Sequence, residues 1–174
     1  MTPPIALRLL PAVLVAAALC AGAPAAAQAP AAAASAAAAP LPYDERADAA
    51  AEVQRAQQTA ARLGRPLLVV FGANWCGDCR ALDKAMHTSA NAAMLDKEFV
   101  VVKVDVGNFN RHLDIAGRYG NPIKKGIPAA AIVSPQGELL YATRGGELAN
   151  ARQMSDTGVY DFFHQAAARA RAPR

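Results

Sequence analysis

The chain has 174 residues, with 18 Lys and Arg against 14 Asp and Glu and a formal net charge of +4. Its basic residues form no long run, and Arg169, Arg171 and Arg174 near the end are spaced apart, so the balance argues against a nucleic-acid partner. Residues 41–174 have the size of one ordinary domain and can bury a core.

The first forty residues read differently from the rest. Residues 1–7 carry no charged side chain, Arg8 supplies a thin positive region, and residues 9–19 are mostly apolar but broken by Pro11 and too short to span a bilayer. Ala25-Ala26-Ala27 offers a small-x-small cleavage site. Residues 1–27 are therefore expected to be a secretory signal peptide, with an uncut membrane anchor as the alternative. Cys20 follows the bulky Leu19 rather than a small residue, which disfavours lipid attachment and leaves it as discarded leader. Residues 28–42 are almost only Ala and Pro and read as a linker, flexible or partly extended, with a short Ala-rich helix over 31–39 as the alternative. The remaining domain, 43–174, is expected to work in the periplasm or outside the cell.

Residues 44–63 place Ala47, Ala50, Val53, Ala56 or Gln57, Ala60 and Leu63 near one helical face, with Asp44 able to cap the start and Gly64 and Pro66 ending it. Leu67-Leu68-Val69-Val70-Phe71 is a continuous apolar run, as a strand buried on both faces requires. From Cys76 to about Met94, Cys79, Leu82, Met86, Ala90 and Ala93 recur at helical spacing. Residues 99–106 are strongly β-branched and read as a second buried strand, and 111–119 as a short helix. Residues 129–133 and 139–143 flank the turn sequence Ser134-Pro135-Gln136-Gly137, and 155–170 closes the domain as a helix with Val159, Phe162, Phe163 and Ala166 apolar. Helices between strands imply parallel pairing, and the hairpin adds an antiparallel edge.

The chemistry concentrates in Trp75-Cys76-Gly77-Asp78-Cys79-Arg80, at a strand-to-helix junction. A helix N-terminus lowers a thiol pKa, because its free N–H groups carry partial positive charge. A thiolate at Cys76 would be reactive, and Cys79, one turn on, is placed to resolve a mixed disulfide. With the leader removed, these two are the remaining cysteines, and the ring they close is too small to staple a fold, which favours a redox role. A zinc site would need two further ligands, and His87, His112 and His164 share no ligand spacing, so no metal is expected. Arg80 stands where haem attachment needs His, and no phosphate loop, nucleophile elbow or HExxH occurs, so no cofactor is expected either. Lys103 and Asp105 share one face of their strand, as a polar pair at its end or as electrostatic support for the site. Residues 107–125 and 144–158 form two long loops, open to reading as substrate contacts or as surface insertions.

The apolar strand followed by the Trp-Cys-Gly-x-Cys stretch, together with Gly126-Ile127-Pro128 before the third strand, resembles the thioredoxin superfamily over about residues 65–143. The resemblance implies an α/β thioredoxin fold, a central mixed sheet flanked by helices, here with an additional N-terminal helix. It implies that Cys76 is the attacking thiol and Cys79 the resolving one. It implies that Pro128 is cis and lies against them, that Ile127 offers its backbone to an extended substrate, and that Trp75 forms part of the docking surface. Gly77 and Asp78 would modulate the pair.

Two positions depart from the family pattern. Val70 stands where many thioredoxins bury an acid credited with proton transfer at the inner cysteine, and Asp78 stands where common members have Pro. A carboxylate beside Cys76 disfavours thiolate and makes the couple more reducing. Equally, Asp78 reads as a first-turn acid that complements the helix dipole. The expectation is a reductase of disulfide-containing exported proteins, recharged by a thiol electron donor at the membrane or elsewhere. An oxidase or isomerase of the same fold, and a non-catalytic peptide-binding module, remain the alternatives.

Overall fold

Strand β1 (Leu67–Gly72) is central to the sheet, and all six of its residues are buried. A computed structural model describes residues 41–171; the expected signal peptide 1–27 and nearly all of the expected linker 28–42 lie outside the described residues. β1 runs parallel to β2 (Val100–Asp105), with Val70 beside Lys103. On its other edge it runs antiparallel to β3 (Ala129–Val133), with Val70 beside Ala130. β4 (Leu139–Ala142) pairs antiparallel with β3 and completes the order β2-β1-β3-β4. Neighbours on both edges and helices on both faces leave β1 no exposed side, which is why its sequence is apolar throughout.

Among the described residues, five helices cover the sheet: α1 (Ala49–Leu63), α2 (Gly77–Met86), α3 (Ser89–Glu98), α4 (Leu113–Arg118) and α5 (Asp156–Arg171). On one face Val69, Phe71 and Val104 pack with Val53 and Ala60 of α1 and Ile115 of α4. On the other, Leu68, Val70 and Ile132 pack with Leu82 and Met86 of α2, Leu95 of α3 and Phe163 of α5. The mixed sheet with an extra N-terminal helix is the architecture expected from the sequence. Among the described residues, no helix is long and apolar enough to cross a membrane.

Three local expectations differ from the structure. α1 begins at Ala49, not near Asp44: the Asp48 carboxylate accepts the Ala51 N–H at 3.0 Å as the cap, while Asp44 accepts the Arg46 N–H at 2.8 Å in a separate turn. The helix expected over 76–94 is two helices. Thr88 is extended, and its hydroxyl and the buried Asn91 amide both donate to the Ala85 carbonyl, at 3.0 and 2.8 Å, ending α2 there. The break turns the buried face to Asn91, Met94 and Leu95, so Ala90 and Ala93 are exposed. β2 is the edge strand rather than a fully buried one, and Val101 reaches solvent.

The expected turn holds. Gly137, at φ 94°, donates its N–H to the Ser134 carbonyl at 2.9 Å, and the Ser134 hydroxyl accepts from Gln136 and Glu138 at 3.2 and 3.0 Å.

Candidate active site

β1 ends at Gly72 and the chain turns through Ala73, Asn74 and Trp75 into α2. Cys76 is the N-cap residue of α2, where a capping oxygen usually sits. Its sulfur takes that role, accepting the Cys79 backbone N–H at 3.1 Å. Cys76 and Cys79 are joined as a disulfide with Cα atoms 5.2 Å apart. Cys76 keeps 5% of its surface exposed and Cys79 none. The same sulfur lies 3.5 Å from the carbonyl oxygen of Ile127, and the Ile127–Pro128 peptide is cis. Gly126, at φ 114°, makes the turn into that peptide from the 3₁₀ turn Pro122–Lys125.

Trp75 is 55% exposed. Its indole N–H donates to the Gly107 carbonyl at 3.0 Å, and its ring meets Phe109 edge to face, centroids 6.4 Å apart. Phe109 is 42% exposed and sits at φ 59°, a region that bulky side chains rarely adopt. From Phe109 a groove of about 390 Å³ runs along Leu113, Ile123 and Lys124 to Gly126, next to Ile127. Both long loops therefore border the cysteines' surroundings, 107–125 through Phe109 and 144–158 through Arg152.

Asp78 is not a free carboxylate. The Arg152 backbone N–H donates to its Oδ1 at 2.9 Å and the Arg152 guanidinium lies 3.1 Å from its Oδ2. Desolvation pulls this carboxyl upward, but the two Arg152 hydrogen bonds and the Arg152 charge outweigh it and hold Asp78 below the ordinary carboxylate range. Gly77 lies against the same arginine, whose Cδ would be 3.4 Å from a Cβ placed there.

Beneath the loop is a buried pin that sequence reasoning missed. Asn74 accepts the Tyr43 N–H at 3.0 Å and donates to the Tyr43 carbonyl at 2.8 Å and to Glu45 at 2.9 Å. Arg80 donates to the Asn74 carbonyl at 2.7 Å. The Tyr43 ring is buried over Gly72, where any Cβ would collide with its hydroxyl. A glycine closing an otherwise bulky apolar strand was the available signal, since it marks a close approach. Lys103 and Asp105 share a face but not a partner. Lys103 pairs with Asp83 of α2, both half-buried, whereas the buried Asp105 accepts from Arg111 and from the Gly107 N–H at 3.2 and 3.1 Å.

Val70 is buried among Leu82, Met86 and Ile132, so an apolar side chain fills this position. Among the described residues, no group of three or more His, Cys, Asp and Glu is arranged to hold a metal ion. The expected site residues Cys76, Cys79, Ile127 and Pro128 converge, Gly77 and Asp78 meet Arg152, and Trp75 faces Gly107 and Phe109.

A family model described as thioredoxin-like matches residues 48–135. The solved structure of a disulphide isomerase from Xylella fastidiosa Temecula1 is 55% identical, covering 74% of this chain and 98% of that one at a TM-score of 0.73. A DsbH oxidoreductase, 14% identical over 66% of this chain and 81% of its own with a TM-score of 0.52, shares the fold. The thiol:disulfide interchange protein DsbD of Ralstonia nicotianae is 30% identical over 62 residues, 36% of this chain, and the match spans only 10% of that longer protein.

Proposed function

This chain belongs to the thioredoxin-like family, and from that premise we propose that it is a thiol–disulfide oxidoreductase working through Cys76 and Cys79. The observation that carries the reading is the Cys79 N–H on the Cys76 sulfur at the start of α2. That contact and the helix dipole favour the thiolate over the thiol. Cys76, the more exposed of the two, attacks one sulfur of a partner disulfide. That S–S bond breaks, the leaving sulfur departs as a thiolate and takes up a proton, and a Cys76–partner disulfide forms. Cys79 then loses its proton and attacks the Cys76 sulfur, releasing the second partner thiol. The partner gains two electrons and the chain is left as the Cys76–Cys79 disulfide. Ile127 and cis-Pro128 hold the partner's backbone beside the sulfurs, and Trp75 forms part of the docking surface.

The first reading of direction is reduction of disulfides in exported proteins, with a separate thiol donor restoring the dithiol. Its supports are the ionised carboxylate of Asp78 two residues from Cys76, offset in part by the Arg152 guanidinium, and the leader-like composition of residues 1–27. A specific observation favours a second reading, isomerisation: the 55% identical relative is described as a disulphide isomerase.

Equilibration against glutathione tests both. A potential near about −270 mV, as in thioredoxin, is expected for the reductase; one near about −180 mV, as in protein disulfide isomerase, would favour the second reading. Cys76→Ser with an intact fold is expected to abolish dithiothreitol-dependent insulin reduction, and unchanged activity would remove the assignment altogether.

A further inference from the structure

We propose that Arg152 is a positioning residue of the redox centre, which sets the acidity of Cys76 by clamping Asp78 and laying its guanidinium against Gly77. This inference rests on the reading of Cys76 and Cys79 as an exchanging pair and adds a residue that the motif does not contain.

The clamp is built from far along the chain. Arg152 belongs to the 3₁₀ turn Ala151–Gln153, between β4 and α5, and is 74 positions from its partner. Both Asp78 oxygens are engaged, Oδ1 by the backbone N–H and Oδ2 by the guanidinium. Loss of the side chain alone therefore leaves one hydrogen bond and removes the charge. The guanidinium also stands over Gly77, the residue directly after Cys76, at van der Waals distance from where a Cβ would sit. The cation is thus paired with an anion that lies two residues along the chain from Cys76.

Most of the other charged groups around the loop are engaged elsewhere. Arg80 is on the Asn74 carbonyl, Glu45 on the Asn74 amide, Arg111 on Asp105 and the Glu45 carbonyl, and Lys103 on Asp83. Lys124 and Lys125 are exposed in the 3₁₀ turn that leads to Gly126.

The sign follows from charge. Without the guanidinium, Asp78 stays ionised beside Cys76 and disfavours the thiolate, so the thiol pKa rises and the couple becomes more reducing. Without the carboxylate, the cation stands alone, the thiol pKa falls and the couple becomes more oxidising. A clamp that only held the loop in shape would give both losses the same sign.

The experiment compares the full chain with Arg152→Met, Asp78→Asn, the double variant and Arg152→Lys. Cys76 acidity is read from the pH dependence of alkylation, and the dithiol–disulfide equilibrium from glutathione buffers at pH 8. Arg152→Met is expected to lower the thiolate-to-thiol ratio about two- to tenfold and Asp78→Asn to raise it by a similar factor, up to one pKa unit each. The glutathione equilibrium constant moves in the corresponding directions, by up to about 30 mV for a tenfold change. The double variant and Arg152→Lys are expected to return towards the wild type. Shifts of the same sign in the two single variants, or none in either, would overturn the inference while leaving the exchange reading intact. A wild type that shows no two-electron transition would instead sink the exchange reading, and this inference with it.

Discussion

The loop bearing Trp75 and Cys76 is held from below and from above by contacts of opposite character. Below, Tyr43 and Asn74 are buried, and their hydrogen bonds join backbone to side chain out of reach of water. Above, Arg152 is 68% exposed at its side chain, and Trp75 and Phe109 are about half exposed. A buried contact cannot be lost without leaving a void or an unpaired polar group, so it fixes where the cysteines are. An exposed pair is screened and contributes little to folding, yet its charge still acts on a thiolate nearby. The lower side should therefore govern stability and the upper side reactivity and choice of partner.

The largest expected effect breaks the lower side. Tyr43→Ala empties a fully packed aromatic site over Gly72, at a cost of about 3–5 kcal/mol by denaturant unfolding. Tyr43 also carries a pH signature. Burial, followed by the charges of Asp83 and Asp105, pushes its hydroxyl well above the ordinary 10.0. The folded chain thus holds that proton more tightly than the unfolded one. Its contribution to stability is complete below about pH 10 and declines as pH rises beyond. Stability measured from pH 8 to 11 should fall less steeply in Tyr43→Phe than in the wild type; identical slopes would show that the hydroxyl plays no part.

Asn74→Ala comes next. It removes three hydrogen bonds and strands the Tyr43 N–H and carbonyl in a buried site, each costing about 1–3 kcal/mol. If the lower side only positions the cysteines, the thiol pKa of Cys76 in the folded variant stays near that of the wild type. A pKa shift as large as that in Arg152→Met would erase the distinction between the two sides.

What could be read from the sequence divides along the same line. The pairing of Cys76 with Cys79 was legible because both lie in one short stretch whose chemistry is local, a helix start, whereas the cis Ile127–Pro128 peptide followed from the family resemblance. β1 and the Ser134–Gly137 turn were legible from local chemistry too. The pin and the clamp were not, because Tyr43 meets Asn74 across 31 positions and Arg152 meets Asp78 across 74. Nothing local in Ala151-Arg152-Gln153 distinguishes it from a solvent-facing turn. The break between α2 and α3 was hidden by composition. Ala90 and Ala93 fit a helical period without being buried, and the residue that turns the face, Asn91, is polar.

The smallest effect on stability, and the sharpest on partner choice, is expected at Phe109. Its exposed ring extends the surface of Trp75 along the groove to Gly126, and a backbone at φ 59° holds it there. A conformation that costs on the order of 1–3 kcal/mol for a bulky residue has its counterpart in what the ring contacts. Phe109→Gly removes the ring and relieves the backbone together, because glycine takes positive φ without penalty. The melting temperature should hold or rise. A small disulfide that needs only the sulfurs, such as oxidised glutathione, should be reduced at the wild-type rate. A protein substrate such as insulin should lose the ring contact, worth about 0.5–1.5 kcal/mol and so about two- to tenfold in KM. Equal losses on both substrates would mean that the ring supports the loop rather than the partner. No loss on either would assign the groove beside the cysteines to something other than the polypeptide being reduced.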